Sequence, residues 1–222
     1  RFPLLGVNRV DVRTSVTNYS PEPQQVTVRV ALTDPAGSPA GSIELPAHEV
    51  GIGETSDFAG DVDVAHPQFW DIAQGKLYRA AVSVAAKGKM LDDDTAVFGL
   101  RDAHFEAATG FWLNGRNVPL KGVALHQDGG AVGDAVPLAL WERRLAVLRT
   151  LGVNAIRTAH NPPAPEFLDL CDRMGFLVMD ELFDAWTVGK PGAGQGTNVY
   201  FTEWGHRDAR DTVRRDRNHP SI

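Results

Sequence analysis

The spacing of apolar residues changes near residue 100, and this change limits the possible folds more than any other feature. Before it, apolar and polar residues alternate, as over residues 10–16, 26–32 and 78–84. Alternation of this kind is typical of antiparallel strands buried on one face. Turn sequences such as residues 34–37 separate the runs and favour chain reversal. Short alternating strands divided by turns predict a small β-sandwich.

Beyond residue 100, helical spacing alternates with short apolar runs. The predicted elements are a hairpin at Asn114-Gly115, a strand over 118–125, a helix opened by Pro137, a strand over 154–158, a helix opened by Pro165, a strand over 176–179 and a charged helix over about 203–217. Repeated strand–helix order predicts βα units around a parallel sheet. Three units fit either an open sheet or an eight-fold barrel, and no Gly-x-Gly-x-x-Gly supports a dinucleotide fold.

Net charge, hydropathy and cysteine content restrict the binding partners, the membrane topology and the disulfide chemistry of the chain. The net charge of -6 argues against nucleic acid and anionic membranes as partners. The sequence has no apolar run of 18 residues, so no membrane-spanning helix is expected. One cysteine, Cys171, excludes an intrachain disulfide, which leaves the cellular compartment open.

Polar residues concentrate directly after the predicted strands of the second half. They are His126 and Asp128 at the first strand, Arg157, His160 and Asn161 at the second, and Asp180, Glu181, Asp184 and Trp186 at the third. Because the active sites of βα barrels are built at the carboxyl ends of the strands, these residues predict a site on one rim. Asp180 and Glu181 are adjacent, so their side chains are expected to point to opposite faces.

Each of these residues also has a purely structural interpretation. His126 could bond loop carbonyls, and Arg157 could form an ion pair with Glu181 instead of contacting substrate. Trp186 could be a core residue or a platform for the apolar face of a sugar ring. For His160, which is held by the Asn-Pro-Pro turn that follows it, the functional interpretation is favoured.

Several segments in the right order resemble glycoside hydrolase family 2. The barrel segments are residues 122–128, 154–163 (Asn-Ala-Ile-Arg-Thr-Ala-His-Asn-Pro-Pro), 170–175 with 178–181, and 216–221. The sandwich segments are residues 67–70, 77–78 and 98–101. The resemblance implies an immunoglobulin-like β-sandwich over residues 1–101 and the N-terminal part of a (β/α)8 (TIM) barrel over residues 102–222. It also implies an incomplete barrel, with the chain ending before strand four.

The resemblance further implies a retaining exo-glycosidase that uses two glutamates about 5 Å apart on a terminal β-glycoside. Both family glutamates, the acid/base and the nucleophile, are expected beyond Ile222, so no catalytic residue is assigned within the chain. The residues carried over as substrate contacts are His126, Asp128, His160, Asn161 and Trp186. Those carried over as organising the site are Arg157, Asp180, Glu181 and Asp184.

The substrate class follows from the same resemblance. Residues 180–186 with Gly189-Lys190 are similar to the β-galactosidase branch. A β-glucuronidase, a β-mannosidase or a non-catalytic carbohydrate-binding derivative remain alternatives. The coding sequence after Ile222 would distinguish an enzyme from a non-catalytic derivative.

Asp184 and Trp186 occupy the positions that match a magnesium site of the family. A tryptophan cannot ligate magnesium, so no cofactor is expected and magnesium is kept only as a disfavoured alternative. A homo-oligomer of the longer enzyme stays open.

Overall fold

The computed structural model describes residues 8–191 and 196–222. The first seven residues of the predicted first domain therefore lie outside the described range. The chain forms two compact units, the first made of Arg1–Trp70, Lys76–Glu106 and Trp112–Arg116, the second of Asp71–Gly75, Ala107–Phe111 and Asn117–Ile222. The predicted boundary between residues 101 and 102 stays a prediction.

The first unit contains two antiparallel sheets. Its strands are β1 (Arg9–Thr17), β2 (Gln24–Thr33), β3 (Pro39–Val50), β4 (Thr55–Asp63), β5 (Tyr78–Ala86) and β6 (Lys89–Phe98). One sheet pairs β1 with β4, and the other has the order β3-β2-β5-β6. The predicted alternation over residues 26–32 is confirmed, since Val26, Val28, Val30 and Leu32 are all buried. They share one core with Phe58 and Val62 of β4.

Three short strands follow. They are β7 (Ala103–Glu106), β8 (Gly110–Leu113) and β9 (Arg116–Asn117), in the sheet order β7-β8-β9. The predicted hairpin at Asn114-Gly115 is confirmed, because both residues have a positive φ, 51° and 74°. A type I′ turn requires that backbone conformation at its two central positions.

The second unit is built from βα units. After β10 (Gly122–His126) and a short 3₁₀ turn (Gly130–Val132) come α1 (Leu138–Thr150), β11 (Ala155–Ala159), α2 (Pro165–Met174), β12 (Leu177–Met179) and α3 (Asn198–Asp216). The three strands are parallel in the order β10-β11-β12. The predicted strand–helix order is confirmed. Among the described residues, no helix combines the length and apolarity needed to cross a membrane.

Element boundaries differ from the predictions where local signals are weak. The first parallel strand begins at Gly122 and not at residue 118, because Val118 N still donates to Phe111 O and Pro119 has no N–H to give. Helix α3 begins at Asn198, five residues before the predicted start. Its charged sequence carries little apolar periodicity that could have marked the start.

A buried carboxylate holds the end of the described chain beside the sheet. Asp172 of α2 is 2% exposed. Its Oδ2 lies 2.6 Å from His219 Nδ1, and its Oδ1 accepts from Ser221 N at 3.0 Å. Ser221 O in turn accepts from Val178 N of β12 at 2.8 Å. The carboxylate thus fixes residues 219–221 alongside the third parallel strand.

Candidate active site at the strand ends

Three of the predicted residues, Arg157 within β11, His160 just after it and Glu181 after β12, form one contact cluster. Arg157 Nε donates to Glu181 Oε1 in a short charge-assisted hydrogen bond. His160 Nδ1 lies 3.0 Å from Glu181 Oε2, so Nδ1 carries a proton and donates it to the carboxylate. Both carboxylate oxygens of Glu181 are therefore engaged, and the Nε2 atom of His160 is the ring nitrogen left for a ligand.

The pKa of Glu181 reflects these contacts. Partial burial raises the pKa of Glu181, but the hydrogen bonds and positive charges of Arg157 and His160 outweigh this effect and hold the pKa below its ordinary value. The group is therefore a carboxylate at neutral pH. It orients the Arg157 guanidinium and the His160 imidazole and is poorly suited to donate a proton.

The first parallel strand contributes His126 to the same rim. The His126 ring meets the His160 ring edge-on, with 5.1 Å between centroids and an interplanar angle of 79°. Asp184 lies near both histidines and forms an ion pair with Lys190. The hydrogen bond from Lys190 outweighs the opposing effect of burial and holds the pKa of Asp184 low, with a further contribution from His160 and His126.

Asp180 has different partners from its neighbour Glu181. Its Oδ1 lies 3.4 Å from the hydroxyl of Thr158, and it faces Asp216 at the end of α3. Burial is the main cause that raises the pKa of Asp180 to about 6, and the negative charge of Asp216 adds to it, while Arg215 and Thr158 act in the opposite direction. The Asp180 carboxyl therefore titrates at about pH 6, above the ordinary range of an aspartate.

Trp186 is an exposed aromatic residue beside this cluster. Its side chain is 66% exposed, yet its ring stacks in parallel on Phe201 of α3, with centroids 6.0 Å apart. Phe201 meets Phe183 edge-on at 5.1 Å. The core interpretation of Trp186 is therefore wrong for the described structure, and an exposed aromatic surface remains.

The last two predicted contacts lie in exposed loops. Asp128 interacts within its own loop, where its Oδ1 is 3.4 Å from Gly130 N, and Arg144 donates to its backbone oxygen. Asn161 is exposed directly after His160. The substrate roles assigned to both residues stay predictions.

Sequence reasoning missed two polar residues that connect these loops. Gln127 Nε2 donates to Pro162 O at 3.0 Å and so ties the first loop to the second. Thr158 Oγ1 accepts from Glu181 N at 3.0 Å. Their position within the motifs 122–128 and 154–163 was the one available signal, since neither residue type suggests a long-range bond by itself.

Neither candidate metal position fits a divalent cation well. Asp184 is paired with Lys190, and the indole of Trp186 offers no metal ligand. Elsewhere in the described part of the chain, Asp169, Asp172 and His219 place ligand atoms within 4.8 Å of one another. Both carboxylate oxygens of Asp172 already accept hydrogen bonds there, so this group acts as an ion pair.

Comparison with known proteins decides the family. Residues 107–222 match the model described as "Glycosyl hydrolases family 2, TIM barrel domain", and residues 7–101 match that described as "Glycosyl hydrolases family 2". The chain belongs to glycosyl hydrolases family 2. The family-2 assignment establishes a β-sandwich followed by a TIM-barrel-type domain. The predicted incompleteness of the barrel stays a prediction.

Family-2 relatives with different names are similar to this chain. It is 40% identical over 213 residues to Beta-galactosidase BoGH2A of Bacteroides ovatus, an alignment covering 96% of this chain and 25% of that protein. It is 35% identical over 160 residues to a Beta-glucuronidase of Bacteroides fragilis, an alignment covering 72% of this chain and 23% of that protein. The crystal structure of a glycosyl hydrolase family 2 member from Bacteroides cellulosilyticus superposes with a TM-score of 0.89 at 31% identity. The superposition covers 96% of this chain and 27% of that structure's chain. The chain thus spans 23–25% of the length of these curated relatives.

Proposed function

We propose that the protein is a glycosidase that hydrolyses terminal non-reducing β-glycosides. The observation that carries this proposal is the cluster of Arg157, His160 and Glu181, with His126 beside it, at the carboxyl ends of parallel strands. Such a cluster offers fixed hydrogen-bonding groups to sugar hydroxyls. Following the family resemblance, we propose a retaining mechanism with two glutamates, neither of which is assigned within residues 1–222, and these four residues bind and orient the sugar.

Among β-glycosides, β-D-galactosides are the proposed substrates. The relative that aligns over 96% of this chain is named a beta-galactosidase. The charges on this rim also favour a neutral sugar, because Arg157 pairs with Glu181 and Lys190 pairs with Asp184. A β-glucuronide would need a cation for its own carboxylate, and these two cations are already neutralised.

An assay of the natural protein that carries this sequence tests the substrate. With nitrophenyl β-galactoside, β-glucuronide and β-mannoside compared at equal concentration, we expect kcat/KM to be highest for the galactoside. A higher kcat/KM for the glucuronide would favour the second candidate, a β-glucuronidase like the Bacteroides fragilis relative. Binding of galactosides without turnover would instead support a non-catalytic carbohydrate-binding protein.

Magnesium is not part of this proposal. The ion pair of Asp184 with Lys190 and the lack of a ligand atom on the Trp186 ring support chemistry without a metal at these positions. Loss of activity on treatment with a chelator, restored by magnesium, would show that a metal is held by other residues.

We expect the 222-residue chain by itself to hydrolyse no aryl β-galactoside. The reaction needs a nucleophile and an acid, whereas Glu181 is engaged by Arg157 and His160 and Asp184 by Lys190. Acid–base assistance alone contributes about 10²–10⁴-fold, so its absence together with that of a nucleophile leaves little above background. Turnover of nitrophenyl β-galactoside by the purified chain would contradict this and point to Asp180, Glu181 or Asp184 as reacting groups.

A further inference from the structure

Backbone pairing between β11 and β12 stops before the residue that organises the site. The last pair in the register is Arg157 with Met179, two residues before Glu181. Beyond that point Glu181 N donates to the side-chain hydroxyl of Thr158 at 3.0 Å. A side chain thus supplies the hydrogen bond where the backbone ladder no longer does.

Thr158 is well suited to hold this bond. It is 3% exposed, and its β-branched side chain has few accessible χ1 rotamers. Its hydroxyl also lies 3.4 Å from both Met179 O and Asp180 Oδ1, to one of which it can donate its single proton. Both the acceptor and the donor capacity of the hydroxyl are therefore used on the chain that follows β12.

We propose that Thr158 is a positioning residue that sets the orientation in which the Glu181 carboxylate binds Arg157 and His160. Arg157 precedes Thr158 in β11, and His160 follows two residues later, so one short segment carries the anchor and both carboxylate partners. Hydrogen bonds weaken steeply with distance and angle. A shift of the Glu181 backbone therefore loosens both carboxylate contacts at once. The effect on catalysis rests on the proposed function, whereas the effect on these contacts does not.

The test is Thr158→Val in ¹⁵N-labelled protein, which removes the hydroxyl and keeps the branched shape. Because a hydrogen bond of this kind contributes about 1 kcal/mol, we expect the Glu181 amide to exchange with solvent roughly five- to tenfold faster. The Arg157 Nε–H resonance should move upfield as its bond to Glu181 lengthens. Thr158→Ser keeps the hydroxyl and should preserve both signals. Thr150→Val is the matched control, since it removes an exposed threonine hydroxyl that donates to Val147 O at the end of α1.

Two results overturn the proposal: unchanged signals in Thr158→Val, or faster Glu181 exchange with an unaltered Arg157 Nε–H resonance. If Thr158→Val does not fold, Thr158→Ser decides the question. Faster Glu181 amide exchange together with a shifted Arg157 Nε–H resonance, in a variant that keeps the hydroxyl, would contradict a role for that hydroxyl. In the natural protein that carries this sequence, Thr158→Val should lower kcat more than it changes KM, and Thr158→Ser should retain kcat. Inactivity of the unsubstituted natural protein on every β-glycoside would contradict the proposed function and leave the resonance result intact.

Discussion

Replacement of His160 by alanine, in the natural protein that carries this sequence, is expected to lower kcat/KM by about 10²-fold, or roughly 3 kcal/mol of transition-state stabilisation. Glu181 fixes the ring through Nδ1, so Nε2 is the ring nitrogen expected to contact a sugar hydroxyl. Contacts to sugar hydroxyls strengthen as the ring approaches its oxocarbenium-like transition state. The loss should therefore appear in kcat and not in KM alone, and the measurement is steady-state kinetics on the purified variant.

The matched control is His66→Ala, which removes an exposed histidine of the β-sandwich unit and should change neither kcat nor KM. Thermal unfolding of both variants separates the interpretations. A purely structural His160 predicts a clearly lowered Tm with nearly normal kcat/KM per folded molecule. That combination would end the functional claim for His160.

Replacement of Asp172 by alanine is expected to destabilise the second unit by about 3 kcal/mol or more. The carboxylate is buried and accepts from both His219 Nδ1 and Ser221 N. Its loss leaves the buried N–H of Ser221 and the half-buried imidazole of His219 without their shared acceptor. Urea denaturation measures the change in the free energy of unfolding.

Asp169→Ala is the control for Asp172. Asp169 lies one turn earlier on α2, is 55% exposed, and its carboxylate stands 3.9 Å from His219 Nδ1. Exposed pairs of this kind contribute less than about 1 kcal/mol. Equal losses of stability in the two variants would show that overall negative charge near His219 matters and the buried hydrogen bonds do not.

The same pair predicts how stability depends on pH. Burial lowers the pKa of His219, but the hydrogen bond and charge of Asp172, with Asp169 and Asp216 adding to them, raise it above its ordinary value. A raised pKa in the folded state means that the ion pair stabilises fully below the unfolded pKa, near 6.5, and that this contribution is lost as pH rises through the folded pKa. Asp172→Ala should abolish that pH-dependent component, and an unchanged pH profile in the variant would contradict the assignment.

Local signals account for the parts of the fold that the sequence predicted. Alternation over residues 26–32 follows directly from burial on one face of a strand, and it was observed. The limits of α2 were predictable because Pro165 suits a first helical position and Gly175 adopts the left-handed conformation that ends a helix. The start of α3 was not, since no side chain caps it and few of its residues are buried.

The position of the candidate site was predictable from the sequence, whereas most hydrogen bonds that hold it together were not. The pairing of Arg157 with Glu181 was one of the interpretations open from the sequence, and the structure contains it. The bond from Glu181 N to Thr158 spans 23 residues, and that from Ser221 N to Asp172 spans 49. No local pattern marks such partners, because they meet only after the βα units have packed.

The buried carboxylate on α2 also has a consequence for chain length. Its two oxygens accept from groups two residues apart, His219 and Ser221, and a carboxylate spans too little space to serve donors that are moved further along the chain. An inserted or deleted residue in this stretch would break one bond or shift the pairing of Ser221 O with Val178 N. The spacing of residues 219–221 is therefore tightly constrained, whereas the exposed turn at Lys87-Gly88 in the other unit has room for length variation.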